Sequence, residues 1–282
     1  MSNVQVRTTI KNRVSRQIDL LKLFRVQRRF EVSDERYTVR LARTKSEVES
    51  ALALRYKVFK AEIAQTKPSP GEPQIEFDEY DFKCSHLIVI ERSTGTTVGT
   101  YRIMSFEKAR SAFGFYSSNE FTLDALPRDI LTSGMEIGRA CIAPEHRNTK
   151  VLFLMWKTLA RYLEVTGKRY FFGCCSIFST DPAVGRTAMS QLVADGHTHR
   201  SIRVRPITNG IAPQDEPDFD AIAAQFPPLF NMYLRIGAKV CGPPMIDHAF
   251  GTIDFFVVFD LTEMTPKYRK MFFGSPMHKP AR

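Results

Sequence analysis

Polar and apolar residues alternate along RYTVRLAR (residues 36–43), the period-two pattern of a half-buried strand. Before it, TIKNRVSRQIDLLKLFRVQRRF sets Ile10, Val14, Ile18, Leu21 and Phe24 at near-helical spacing, widened by Leu20, Leu23 and Val26. That pattern predicts an amphipathic helix with basic residues over much of its other face. TKSEVESALALRYKVFKAEIA continues after the strand as a helix, opened by Thr44 or Ser46 followed by acids, as in a capping box. Residues 66–73, TKPSPGEP, read as a loop. Leu87–Ile90 and Val98–Met104 form a hairpin turning at Thr94–Gly95. Residues 105–134 are polar and irregular and read as loop with short helices. A strand over Met135–Ile142 and a helix over Val151–Val165 follow, then a buried strand in KRYFFGCCSIF. Residues 198–226 look like an insertion with a weak helix. PPLFNMYLRIGA is a helix stopped by Gly237, and TIDFFVVFDL is a late strand. The order predicts an α/β fold: one mixed central sheet flanked by helices. The domain reading is a basic extension over 1–33, a main domain over 34–263 with an insertion near 197–225, and a basic tail over 264–282.

Composition narrows the class. The 282 residues are 43% apolar and 25% charged, which fits a globular protein with a sizeable core. No apolar run reaches the roughly 20 residues of a membrane span. The N-terminus has no signal-peptide core and Ser2 excludes myristoylation, so the expected location is cytoplasmic or peripheral on the inner face of the plasma membrane. Five scattered cysteines suggest small buried side chains, not a zinc site or disulfide framework. His197 and His199 lack a third ligand in the sequence, so no metal is expected. The net charge of +10 is uneven: residues 1–30 carry eight basic residues against Asp19, and 264–282 carry five basic residues and no acid. Such ends suit an acidic partner such as a carrier protein or anionic membrane. They lack the interleaved aromatics of a nucleic-acid platform, so no nucleic-acid partner is expected.

Several motifs in order resemble the GNAT acyltransferase superfamily, and within it the ornithine-lipid N-acyltransferases and acyl-homoserine-lactone synthases. LRYKVF (54–59), EFDEYDFKCSHLIV (76–89), GTYRI (99–103) and EIGRACI (136–142) are similar to motifs of both groups. FFGCCSIFSTDP (171–182) and YLRIGAKVCGPP (233–244) resemble the ornithine-lipid enzymes more narrowly. The synthases carry a tryptophan between the first two motifs; here residues 59–78 contain none. The resemblance implies a GNAT-like fold with a basic N-terminal helical extension. It also implies transfer of a 3-hydroxyacyl chain from acyl carrier protein, a phosphopantetheine thioester, to the α-amino group of ornithine in aminolipid biosynthesis, with no tightly bound cofactor. Alternatives are another amino-acid acceptor such as glycine, a homoserine-lactone synthase, acetyl-CoA transfer, or a non-enzymatic membrane-surface module.

Amine attack on a thioester needs a base, a polarised carbonyl and a stabilised oxyanion. Glu136, on a central strand, is the candidate base; its structural alternative is an ion pair with Arg139. Residues three apart on a strand face opposite sides, so the two should meet different partners unless a bulge intervenes. By resemblance, backbone N–H groups near Ala140, Cys141 and Ile142 would hold the oxyanion at a splayed strand. Asp78 and Asp81 suit a cationic amino acid, or a solvated acidic loop. Arg55, Arg102 and Arg139 could clamp a substrate carboxylate or pair with those acids. Tyr233 falls where many GNAT enzymes protonate the leaving thiolate, and is otherwise a core aromatic. Asp181 is read as a helix cap. Residues 144–150 form a basic turn before a helix, a natural anion site. Arg147 and Lys150 would meet the donor there. Lys150 and Leu152 replace the small residues of the usual GNAT phosphate cradle, which favours the single phosphate of a carrier arm over a tightly wrapped CoA.

Overall fold

The computed structural model describes residues 31–63, 71, 73–212 and 226–274. The N-terminal amphipathic helix, the weak helix near 213–225 and the last eight residues of the basic tail lie outside the described residues. Along the described chain, strict alternation on the central strands sorts residues between two apolar cores. β1 (Val32–Ser33), β2 (Tyr37–Leu41), β3 (Ser85–Glu91), β4 (Thr97–Ser105), β6 (Gly134–Ile142), β7 (Tyr170–Ile177), β11 (Thr252–Asp260) and β10 (Met245–Asp247) are neighbours in that order, and β9 (Lys239–Val240) also pairs with β11. β6 and β7 run parallel and the other pairs antiparallel, giving the expected mixed sheet. Tyr101, Ile103, Ile137, Phe171, Cys175, Ile253, Phe255 and Val257 enter the larger core. Met104, Tyr170, Phe172, Phe256 and Val258, one residue out of step, enter the smaller one.

The larger core is closed by α4 (Thr149–Thr166), with α6 (Pro228–Ile236) and α7 (Pro266–Phe273) beside it. Asn148 caps α4 by accepting the Val151 N–H at 3.0 Å, and Gly167, at φ +66°, ends it. Trp156 on α4 is fully buried, edge-on to Phe171, Tyr233 and Phe259. α7 holds the first basic residues of the expected tail, and its Phe272 is buried in the same core.

The structure adds detail to three local readings. The first long helix is α1 (Lys45–Arg55), capped by Thr44 through the Glu47 N–H, and then widens into a π-helix over Tyr56–Ile63. Glu47 reaches the Arg43 N–H and not that of Thr44, so the capping box is displaced by one residue. The irregular stretch 105–134 holds two short helices, α2 (Phe106–Arg110) and α3 (Arg128–Thr132), and the short strand β5 (Phe121–Thr122). Finally, residues 197–212 are built into the second core: β8 (Arg205–Pro206) pairs with β5, and Ile202 and Val204 are buried because they alternate with exposed arginines. Asp181 caps α5 (Pro182–Ala194) by accepting the Ala183 N–H at 2.9 Å.

Candidate active site

The motif residues converge where α1, the 3-10 turn Glu79–Phe82, β4 and β6 meet. Arg55 is the last residue of α1 and is almost fully buried. It donates to Glu76 and, bidentately, to Asp81 at 2.6 and 3.1 Å. Asp78 caps the 3-10 turn, while Asp81 accepts the Asp78 N–H, so the two acids fix each other's backbone. Arg102 donates to both oxygens of Asp78 at 2.5 Å and lies 3.5 Å from Asp81. Arg139 pairs with Glu76 at 3.3 Å and Asp78 at 3.4 Å. Three guanidinium groups thus meet three carboxylates with no formal charge left over. That arrangement realises the pairing alternative for Arg55 and Arg102. Among the six, Asp78 and Arg139 have the more exposed side chains, 24% and 14%, and so form the cluster's solvent edge. Glu76 was not singled out in the sequence, although it opens the same EFDEYDF run.

Glu136 lies on the same face of the sheet as Arg102. Burial pushes its carboxyl upward; the Ser117 and Tyr116 groups that bind the ionised form oppose this. Its two oxygens accept the Ser117 N–H at 2.6 Å and the Tyr116 N–H at 2.8 Å. A bulge does intervene, and it takes in Arg139 itself, between Gly138 and Cys141. Thr100 pairs with Cys141 but Arg102 with Gly138, and Arg139 takes φ +49°. The extra residue carries the Arg139 guanidinium over the Tyr116 ring, 4.6 Å from its centroid, and over Phe250 at 4.5 Å. Glu136 and Arg139 therefore keep different ionic partners but share Tyr116 as a neighbour.

β6 pairs with β7 only at residues 134–136, then separates from it. Beyond that point the β7-facing backbone of residues 137–142, which includes Ala140, Cys141 and Ile142, has no strand partner. Gly173 stands at the fork: a Cβ there would lie 2.4 Å from the Ile137 carbonyl oxygen. A small cavity of about 10 Å³ beside it is lined by Ile137, Gly173, Trp156 and Tyr233. The Tyr233 and Tyr101 hydroxyls are 2.9 Å apart, and burial holds the Tyr233 phenol well above its ordinary pKa. Glu136 and Ile137 face opposite sides of β6, so Glu136 and Tyr233 lie on opposite faces, with the fork between them. The basic turn is less open than its composition suggests. His146 is buried and bonded to Tyr37 at 2.9 Å, Arg147 donates to the Ile142 carbonyl at 3.0 Å, and Lys150 pairs with Asp34 at 3.1 Å.

One cluster escaped the sequence reading. Glu120, Asp247 and Asp254 each bring a carboxylate oxygen within 4.8 Å of the others, close enough to share a cation. Burial, then the neighbouring acids, raises Glu120 to about 7 and Asp254 to about 6. Asp254 had a visible signal: a lone acid inside the apolar run TIDFFVVF of a strand buried on both faces. Glu120 lies in a loop and Asp247 ends the short strand β10, and neither gave one.

The acetyltransferase (GNAT) domain family matches residues 54–157, which span the arginine–carboxylate cluster, Glu136 and the turn. An L-ornithine N(alpha)-acyltransferase of Rhizobium meliloti is 32% identical over 81% of this chain and 81% of its own. One from Brucella abortus is 30% identical over 82% of this chain and 86% of its own. The solved AHL synthase LasI aligns over 87% of this chain and 98% of its own at 13% identity, with a TM-score of 0.48. The chain is an N-acyltransferase of the GNAT superfamily and belongs to the family of the L-ornithine N(alpha)-acyltransferases.

Proposed function

We propose that this enzyme transfers a 3-hydroxyacyl chain from acyl carrier protein to the α-amino group of ornithine, giving a lyso-ornithine lipid. The observation that carries the mechanism is the fork after residue 136, with a buried carboxylate on one face and a tyrosine pair on the other. In this reading Glu136, its pKa raised by burial, takes a proton from the substrate ammonium, directly or through water. The freed amine attacks the thioester carbon. The C–N bond forms, the carbonyl electrons move to oxygen, and backbone N–H groups near Ala140, Cys141 and Ile142 hold that oxyanion. The attacking nitrogen gives up its second proton to water, collapse breaks the C–S bond, and the thiolate takes a proton from Tyr233, which is restored through Tyr101 from the proton released to water, while Glu136 returns its own proton to solvent. Burial keeps that phenol protonated until the thiolate forms beside it. Arg139 and Asp78, at the exposed edge of the ion-pair cluster, face the amino acid's carboxylate and ammonium; Arg55, Arg102 and Asp81 hold that edge in place. Arg147 and Lys150 meet the carrier arm, and the basic ends meet carrier protein or anionic lipid.

The test is purified enzyme with 3-hydroxyacyl carrier protein and ornithine, read by mass spectrometry. N-acyl-ornithine at multiple turnovers is the expected product. Transfer from acyl-CoA alone, or to glycine in place of ornithine, would replace the donor or acceptor named here.

A further inference from the structure

Every other carboxylate near the fork is answered. Glu76, Asp78 and Asp81 meet three arginines, and Glu136 receives two backbone amides. Glu120, Asp247 and Asp254 break that rule. Glu120 and Asp254 are only 6% and 4% exposed, yet neither oxygen of Glu120 nor Oδ1 of Asp254 has a hydrogen-bond partner. The Cys174 thiol and Tyr116 phenol lie beside Glu120 and favour its ionised form, without hydrogen-bonding geometry to either oxygen. Among the described residues no lysine or arginine pairs with any of the three acids. Asp247 Oδ1 accepts the Ala249 and Phe250 N–H groups, which aims the side chain and leaves its other oxygen. A buried set of like charges with open acceptors is costly unless a cation arrives from outside.

The cluster's position says which cation. Glu120 closes the 3-10 turn Tyr116–Asn119, whose first two amides hold Glu136. Phe250, whose N–H binds Asp247, lies under Arg139. Asp254 is on the same sheet face as Glu136 and is felt electrostatically by Arg139. The acids therefore adjoin the proposed amine site on the side away from the Asp78–Asp81 pairs. An ammonium offers three N–H donors, matching one oxygen from each acid. With one oxygen from each acid, calcium or magnesium would need three or more further oxygens, from water or backbone, to complete its shell, whereas an ammonium is satisfied by the three.

We propose that Glu120, Asp247 and Asp254 form the subsite for the side-chain ammonium of the amino-acid substrate, and so select ornithine over neutral amino acids. This rests on the reading of the enzyme as an ornithine acyltransferase. The test compares ornithine with norvaline, which has the same carbon chain without the terminal amine. Wild type should favour ornithine by about 100-fold in kcat/KM, the size expected for one buried charge pair. In Glu120→Gln/Asp254→Asn that ratio should fall to within a few fold of one, mainly through KM for ornithine. Thermal melts of each single variant check the fold; loss of an unpaired buried charge should leave the unliganded melting temperature equal or higher. An equal loss for both acceptors, or a wild type that treats them alike, overturns the subsite. So does stabilisation of wild type, and not of the variant, by magnesium, calcium or manganese. Calorimetric binding of ornithine, which needs no acyl donor, separates the two proposals. Ornithine bound in preference to norvaline without N-acyl product sinks the reaction and keeps the subsite. Product formed without preference does the reverse.

Discussion

At the residue scale, the chemistry depends on burial matched by local donors. Glu136 is held by two amides of one short turn, so it keeps its orientation without an arginine partner. Glu136→Gln removes the proposed base and presents an amide N–H₂ to a backbone N–H. Transfer should fall about 100-fold or more in kcat, the usual span for a lost general base, with a smaller change in KM. Near wild-type turnover would reject the role. Because burial raises the Glu136 pKa, the proton-free form is lost sooner on acidification than for an exposed glutamate. The acid limb of kcat/KM should therefore lie above the ordinary glutamate range and vanish in the variant. Glu136 and Arg139 were legible in EIGRACI, but the bulge that joins them through Tyr116 was not. A positive φ at an arginine has no sequence signature, since the residue type does not favour it.

At the scale of elements, the fork between β6 and β7 is the decisive feature. Gly173 allows β7 to pass close to the Ile137 carbonyl just where pairing ends. Gly173→Ala would drive a Cβ into that oxygen, so the strands must shift. A melting temperature lower by several degrees together with reduced transfer is expected; an unchanged melt and rate would mean that the fork tolerates the shift. The strands themselves were visible from alternation and the helices from their caps and stops. In residues 197–212 the arginines mask the alternation of Ile202 and Val204, so their packing is not legible in the sequence. That packing appears only when β5 supplies a partner for β8. The switch from α1 to the π-helix over Tyr56–Ile63 is a change of hydrogen-bond register, which a single continuous apolar segment does not reveal.

At the scale of the molecule, charge is divided between a near-neutral body and basic ends. If those ends meet anionic lipid, the intact protein should sediment with vesicles containing phosphatidylglycerol and be only partly released by 1 M salt, since apolar contacts persist. Complete release by modest salt would point to electrostatics alone. Within the body, the buried acids set a pH dependence. The folded protein holds protons on Glu120 to about 7 and Asp254 to about 6, above their ordinary values, so it binds more protons than the unfolded chain in that interval. This contribution favours folding at low pH and is lost as pH rises through the folded values. The melting-temperature gap between Glu120→Gln/Asp254→Asn and wild type should grow in favour of the variant from pH 4 to 7 and then level off; a gap independent of pH would contradict it. The sequence by itself determined the elements, their order, the family and most of the arginines and acids of the site, because periodicity and motif spacing are local properties of the chain. Tertiary structure alone decided which charges neutralise one another, where two strands part, and that three acids distant in sequence share one buried place. Those outcomes depend on register and on contacts between distant segments, which no local pattern records.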